Sequence, residues 1–482
     1  MMNKATDRIL TTIKGKAFYR FVIGFFVFEA AWIALTAAYP QAFDEQFHFG
    51  LIKLYSHYTL PFLSKQPAGA NAFGAVARDP SYLYHYLMSF PYRIIELVTK
   101  RQAYQVIALR LIDIALFAYG LILFRKILLK TKLSEGLANV TILIFALIPI
   151  APQLAGQINY DDMLFPLVAA TCLLCFKLID QIRSQKVSFR TLSSILILAT
   201  LASLVKFAFL PIFLGLVCFF AVYILHSYRK KLAGLWRGFK GSFRKESLLL
   251  KLLMIGGMIV AGGLFIQRDA VNLVEYHSVD PACSSVISLS DCKAYSAWYA
   301  SYKRHEENVV TKKVIPDKNV FTYAAQWTYW MWYRLFFAVN GQTSGYVNYP
   351  PLPLPSAIAL VIGIVGVVAV IRYRRELFHA NAYATFLMVA CLFYIVALIA
   401  QGYATYQFTA VLENMNGRYF LPVLLLLGAI FAKAFSIALK RSEHLKVIIA
   451  CVVVLLFLEG GGLVTYIARS DNTWYWQNSK AI

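Results

Sequence analysis

Apolar runs of about 20 residues, the length that crosses roughly 30 Å of hydrocarbon, recur along almost the whole of this 482-residue chain. No water-soluble architecture hides that many of them. Apolar residues make up 59% of the chain and charged residues only 15%, too few to cover an aqueous surface, and the mean hydropathy is +0.60. The runs fall near 18–38, 104–124, 137–152, 161–179, 191–206, 207–226, 248–268, 356–371, 382–401, 419–439 and 446–467. They predict an all-α polytopic integral membrane protein with about eleven transmembrane helices, a single membrane domain over residues 1–482. The fifth and sixth runs are nearly continuous. One span of about 35 residues would overshoot the bilayer, so two spans joined by a tight turn at Lys206 to Pro211 are expected.

A net charge of +23 would point to nucleic acid in a soluble protein, but here its distribution sets orientation instead. Roughly 28 of the 47 Lys and Arg fall in the N-terminus and alternate loops, including Arg229, Lys230, Lys231, Arg237, Lys240, Arg244, Lys245, Arg372, Arg374 and Arg375. Few of the acids share those segments. They are therefore expected to be cytoplasmic and apposed to anionic membrane lipids, with the N-terminus inside, the C-terminus outside and no nucleic acid as a partner. The first run is too long for a signal peptide and no small-residue cleavage site follows before Pro40, so it reads as an uncleaved anchor.

Most of the mass outside the spans then lies on the external side. It comprises a first external loop at 39–103, a large external loop at 270–355 and a shorter one at 402–418, all read as largely helical. Large loops on a rigid scaffold are where chemistry tends to sit. Cys283 and Cys292 lie close together in the large loop, in an oxidising compartment on this topology, and a disulfide between them is expected. The other five Cys sit in spans as small hydrophobes, and Cys172 and Cys175 lack the second pair that a metal or redox motif needs. The aromatic segment 321–337 reads as a helix lying in the membrane interface, its Trp and Tyr at headgroup depth.

Three polar constellations fall at external helix ends. Asp44, Glu45 and His48 follow the first span directly. If 42–55 is helical, Asp44 and His48 share a face one turn apart, a carboxylate and imidazole set that partial burial can tune for general-base work. Helix capping with a surface salt bridge is the plainer alternative. The stretch Arg78 to Tyr86, containing Tyr84, ends a polar segment and begins an aromatic helix. Asp161 and Asp162 open the fourth span, where the helix dipole accounts for one acid better than for two. Gly417, Arg418 and Tyr419 enter the tenth span, and an arginine there suits bidentate grip of a lipid-linked phosphate or, equally, snorkelling to ordinary headgroups. Lys206 is either a second phosphate contact or an interfacial lysine.

Ionisable residues inside spans are costly and mark function or pairing. Glu29, Arg110, Asp113 and Glu459 are of this kind, and a Glu29 to Arg110 bridge between the first two spans is expected. No P-loop, zinc-protease, serine-elbow or dinucleotide motif is present. With an external site and no nucleotide motif, a donor already carried on lipid fits better than a sugar nucleotide.

In order and placement, Asp44-Glu45-x-x-His48, the Pro80 to Tyr86 segment, Asn159-Tyr160-Asp161, Lys206 and Gly417-Arg418-Tyr419 followed by Pro422 resemble a bacterial family of predicted membrane proteins of unassigned function, placed with the GT-C glycosyltransferases. The resemblance spans most of the chain. It departs at Asp79-Pro80-Ser81, where a double proline is more usual, and at Asp161-Asp162, where one acid is usual. More broadly the chain is similar to lipid-phosphate-sugar-dependent transferases such as the protein mannosyltransferases and the aminoarabinose transferase of lipid A. The resemblance implies a GT-C-like fold in a bacterial plasma membrane and an inverting glycosyltransferase acting on a polyprenyl-phosphate-linked sugar donor and a glycan or lipid acceptor of the envelope. It implies Asp44 as base with Glu45 and His48 as its catalytic neighbours. Asp161, Asp162, Lys206, Arg418, Tyr419 and Tyr84 become the substrate-binding set. Some members of that superfamily use a divalent metal, but no His/Asp set with ligand spacing assigns one here. A transporter or flippase of lipid-linked saccharides is the alternative, and it would favour inverted repeats, of which the sequence has none.

Overall fold

The computed structural model describes residues 2–61, 65–336, 353–379, 381–413, 415–440, 442–460 and 474–476. Its first helices are α1 (Met2–Lys14), α2 (Lys16–Thr36), α3 (Glu45–Ser56), α4 (Leu83–Val98), α5 (Gln102–Lys130), α6 (Glu135–Ala146), α7 (Ile150–Ala155), α8 (Tyr160–Arg183), α9 (Phe189–Val205), α10 (Leu210–Ser227), α11 (Leu232–Lys245) and α12 (Leu248–Phe265). After a looped segment of short helices come α13 (Val320–Phe336), α14 (Pro353–Arg372), α15 (Ala382–Thr409), α16 (Leu421–Ala438) and α17 (Glu443–Gly460). Among the described residues the β contact is an isolated bridge between Ala37 and Tyr475. The chain is an all-α polytopic membrane protein. Among the described residues seven helices are long and apolar enough to cross a membrane, and four shorter apolar helices, Glu135–Ala146, Phe189–Val205, Leu360–Arg372 and Leu445–Leu458, lie at the remaining expected spans. Asn414, residues 337–352 and the side chain of Glu459 lie outside the described residues.

Local chemistry sets the breaks. The run 137–152 is two helices rather than one, because Pro149 and Pro152 cannot sit in a continuing hydrogen-bond ladder, and α6 gives way to the short α7. The expected break between the fifth and sixth runs falls at Lys206, whose backbone is extended (φ −152°, ψ 118°), with Pro211 in the first turn of α10.

Helix α8 is the centre of the bundle: 67% of its apolar window is buried, against 6% for α12, which faces outward along nearly its whole length. Phe165 of α8 stacks on Phe117 of α5 at 4.2 Å, lies 4.5 Å from Phe124 and packs on Phe145 of α6 at 5.5 Å. Such offset aromatic contacts fix helix register where every surface is apolar.

Because the spans alternate in direction, the end of α2, the start of α8, the end of α9 and the start of α16 meet on one face. The other end of α10, and therefore α11, lies on the opposite face. On the site face the two loop regions are tied together. Arg268, fully buried, donates to the carbonyls of Pro61, Val76 and Ala77, and Cys283 and Cys292 are joined by a disulfide with Cα atoms 5.8 Å apart. The segment Trp474 to Trp476 returns to the end of α2, where Ala38 N donates to Trp474 O and Trp476 N to Thr36 O.

Candidate active site

The short loop after α2 places the first acids. Phe43 and Asp44 both have left-handed backbones, φ 67° and 69°, a conformation that costs roughly 1–2 kcal/mol per non-glycine residue. Outside contacts hold them there. Arg418 Nη1 and Asn159 Nδ2 both donate to Phe43 O, at 2.8 and 3.2 Å, and Arg418 Nη2 donates to Asp44 Oδ2 at 2.8 Å. The left-handed turn also separates two side chains expected on one face. Asp44 precedes the first helical residue of α3 and its carboxylate turns out to Arg418, whereas His48 turns inward to His85.

Glu45 lies completely buried. Arg110 grips it through two 2.8 Å bonds, from Nε and Nη2, and Gln41 N and Ile158 N donate to the same carboxylate at 2.7 and 3.1 Å. Arg110 also donates to Ala34 O and Ala37 O. A Glu29 to Arg110 bridge is expected from the sequence, and the bridge to Arg110 is made by Glu45. The loop after α2 folds back into the bundle and delivers Glu45 to the depth of that arginine. One carboxylate thus ties together the end of α2, the start of α3, α5 and the loop before α8.

The second acid pair divides. Asn159 caps α8 through Asp161 N, and Asp161 accepts from Lys206 Nζ at 2.7 and 2.9 Å, both partners being nearly fully buried. Asp162 points into the bundle, and its carboxylate oxygens have no hydrogen-bond partner among the described residues. Tyr84 is also turned inward, donating to Asp113 Oδ2 at 2.8 Å. Tyr419 lies between the two ion pairs: its ring centroid is 5.4 Å from Lys206 Nζ and 5.2 Å from Arg418 Cζ. Asp44, Arg418, Tyr419, Lys206 and Asp161 thus form one continuous chain of contacts. Gly417 permits it, since a Cβ there would lie 2.4 Å from Leu335 Cα of α13.

Behind this chain His48 Nδ1 and His85 Nε2 are 2.9 Å apart with their rings stacked, and Tyr160 packs edge-on to His48 at 4.6 Å. Burial pushes His85 down to about 3, and burial first, then His85, Arg418 and Lys206, holds His48 well below its usual range. Both rings are therefore neutral near pH 7. His85 and Tyr160 were present in the quoted motifs without a role. The aromatic run around His85 offered the signal, since an imidazole among tyrosines at a helix start requires a polar partner when buried.

An apolar groove of about 770 Å³ lies between α10 and α15, lined by Leu210, Phe213 and Val217 of α10 and Leu392, Phe393 and Val396 of α15. Tyr394 of α15 donates to Tyr419 O at 2.7 Å, so α15 is tied to the site. Among the described residues no group of three His, Cys, Asp or Glu converges as a metal set. Asp44, Glu45 and Asp161 are each held by a fixed cation instead, Arg418, Arg110 and Lys206, so this donor set does not fit a resident divalent ion.

Fold and site define a polytopic integral membrane protein with a charged cluster at one membrane face. No protein-family model matches the chain, and no curated protein does. Among solved structures it is similar to the archaeal oligosaccharyltransferase AglB from Archaeoglobus fulgidus, determined in complex with an inhibitory peptide and a dolichol-phosphate. The identity is 12%, the TM-score 0.43, and the match covers 94% of this chain and 58% of that one.

Proposed function

We propose that this chain is a GT-C type glycosyltransferase that moves a sugar from a polyprenyl-phosphate donor to an acceptor hydroxyl of the cell envelope. The observation that carries this reading is the row Asp44, Arg418, Tyr419, Lys206 and Asp161, together with an apolar groove on α10, a helix that begins four residues after Lys206. The groove suits a polyprenyl chain, and the two cations beside Tyr419 suit the phosphate at its end. Asp44, the exposed acid of the row, takes the proton of the acceptor hydroxyl. The hydroxyl oxygen attacks the anomeric carbon, the bond from that carbon to the phosphate oxygen breaks, and the cations stabilise the charge that builds on the leaving polyprenyl phosphate. A single displacement of this kind inverts the anomeric centre. Glu45 acts by position: its four bonds leave no acceptor capacity for substrate, and they hold the loop that aims Asp44. The Lys and Arg asymmetry supports an external site face.

Transfer by the purified protein from a polyprenyl-phosphate sugar, compared with Asp44→Asn, tests the reading. Full activity in the variant would remove Asp44 from the chemistry. The interrupted helix α6–α7 favours a second reading, a flippase of the same lipids, since broken spans line transport sites. Movement of labelled donor across proteoliposomes without any transfer would select it.

A further inference from the structure

We propose that α11 is a membrane-surface helix that selects anionic phospholipid on the face opposite the candidate site. Its position follows from the chain: α10 ends at Ser227 and α12 begins at Leu248, both ends of spans, so the helix between them is pinned at both ends to the bilayer boundary. Fourteen residues, about 21 Å of helix, lie between those anchors.

One side of α11 is committed to the protein. Leu235 is buried, Phe189 packs edge-on against Phe243 at 4.9 Å, Phe189 N donates to Ser242 Oγ, and at Gly238 a Cβ would come within 2.5 Å of Gln185 O. That close approach fixes the rotation of the helix about its axis. The remaining side presents Trp236, 57% exposed, with Leu232 one turn before it and Lys240 one turn after, its Nζ 5.2 Å from the indole centroid.

Arg229, Lys230 and Lys231 on the entry turn and Arg237, Lys240, Arg244 and Lys245 on the helix are all exposed. None of them forms an ion pair among the described residues. Such a density of unneutralised positive charge, next to an indole at headgroup height, is complementary to an anionic lipid surface. An acidic protein partner would meet the same charges, but it would have to displace lipid from a helix whose two ends are fixed at the bilayer.

The experiment reconstitutes the full chain in vesicles of equal parts phosphatidylcholine and phosphatidylglycerol, with acyl-chain bromine on one lipid or the other. Fluorescence quenching is read as the difference between the wild type and Trp236→Phe. Quenching of Trp236 is expected to be about twofold or more stronger when the bromine is on phosphatidylglycerol. The ratio should fall toward one in the triple variant R237Q/K240Q/R244Q, and in the wild type at high salt, an arm that needs no variant to fold. Equal quenching by the two lipids overturns the proposal, as does a ratio that ignores both salt and the charge changes. Absence of any Trp236 quenching also overturns it and points to a protein partner or to water on that face.

Discussion

Arg418 Nη2 meets Asp44 Oδ2 at 2.8 Å, yet the two side chains stand in different media, the arginine 6% exposed and the aspartate 58%. The guanidinium orients its partner: its other amino group holds Phe43 O, so the turn and the carboxylate are fixed by one cation. An acid restrained from behind and open in front can meet a group arriving from water without being free to swing away.

Asp44→Asn is expected to lower transfer by about 10²–10⁴, the usual worth of general-base help. The amide oxygen can still accept from Arg418, so folding should survive. Turnover by purified protein, set beside its thermal unfolding midpoint, checks both halves. Loss of activity together with loss of fold would make Asp44 a structural residue only.

Glu45→Gln should do the reverse in emphasis. It leaves Arg110 charged and buried without its counter-ion, a change that typically costs about 3–5 kcal/mol. A large drop in unfolding midpoint in detergent is expected, clearly greater than for Asp44→Asn. A stable protein that has lost only turnover would return Glu45 to the catalytic set.

Leu214→Trp and Val217→Trp should obstruct the groove while sparing the core, because these side chains are 56% and 54% exposed on its outer lip. Donor binding is expected to weaken by about tenfold, or 1.4 kcal/mol. Turnover at saturating donor should change much less. Unchanged donor affinity in both variants would argue that the lipid chain lies elsewhere.

Acid should loosen the site before it harms the rest. His85 is held near about 3, below its ordinary 6.5, and His48 is lowered too. The unfolded chain therefore binds protons that the folded one refuses. Stability contributed here is complete above pH 6.5 and falls as the pH drops toward 3, by up to roughly 2 kcal/mol for one imidazole between pH 7 and 5. Unfolding midpoints measured across that range should slope downward, and His85→Gln should flatten the slope. An identical slope in the variant would assign the acid sensitivity to other groups.

Length and hydropathy made the spans readable, and the break at Lys206 was readable too, because the bilayer limits a helix and Pro211 marks a start. Which polar groups pair was less accessible. Glu29 lies inside the first span and Glu45 beyond its end, and only the inward fold of residues 38–45 shows that Glu45 reaches Arg110. In the same way, adjacency in sequence made Asp161 and Asp162 look like one site. A helix turns by 100° per residue, so one meets Lys206 and the other faces the bundle. The aspect most hidden was the left-handed turn at Phe43 and Asp44, since Phe43 gives no signal of it, Asp44 only a weak one, and its support comes from residues 159 and 418.

The Arg418 part of that support arrives late. Asp44 and Arg418 are 374 residues apart, so a ribosome has made most of the chain before the guanidinium that holds the turn exists. During synthesis the early helices insert with a carboxylate whose counter-ion has yet to be translated. A product that stops before Arg418 keeps most of its apolar spans and the Asn159 contact to Phe43 O, but lacks the ion pair to Asp44. Completion of the charged cluster thus requires translation past Tyr419, which separates chains that contain this segment from shorter ones at the membrane by chemistry rather than by size.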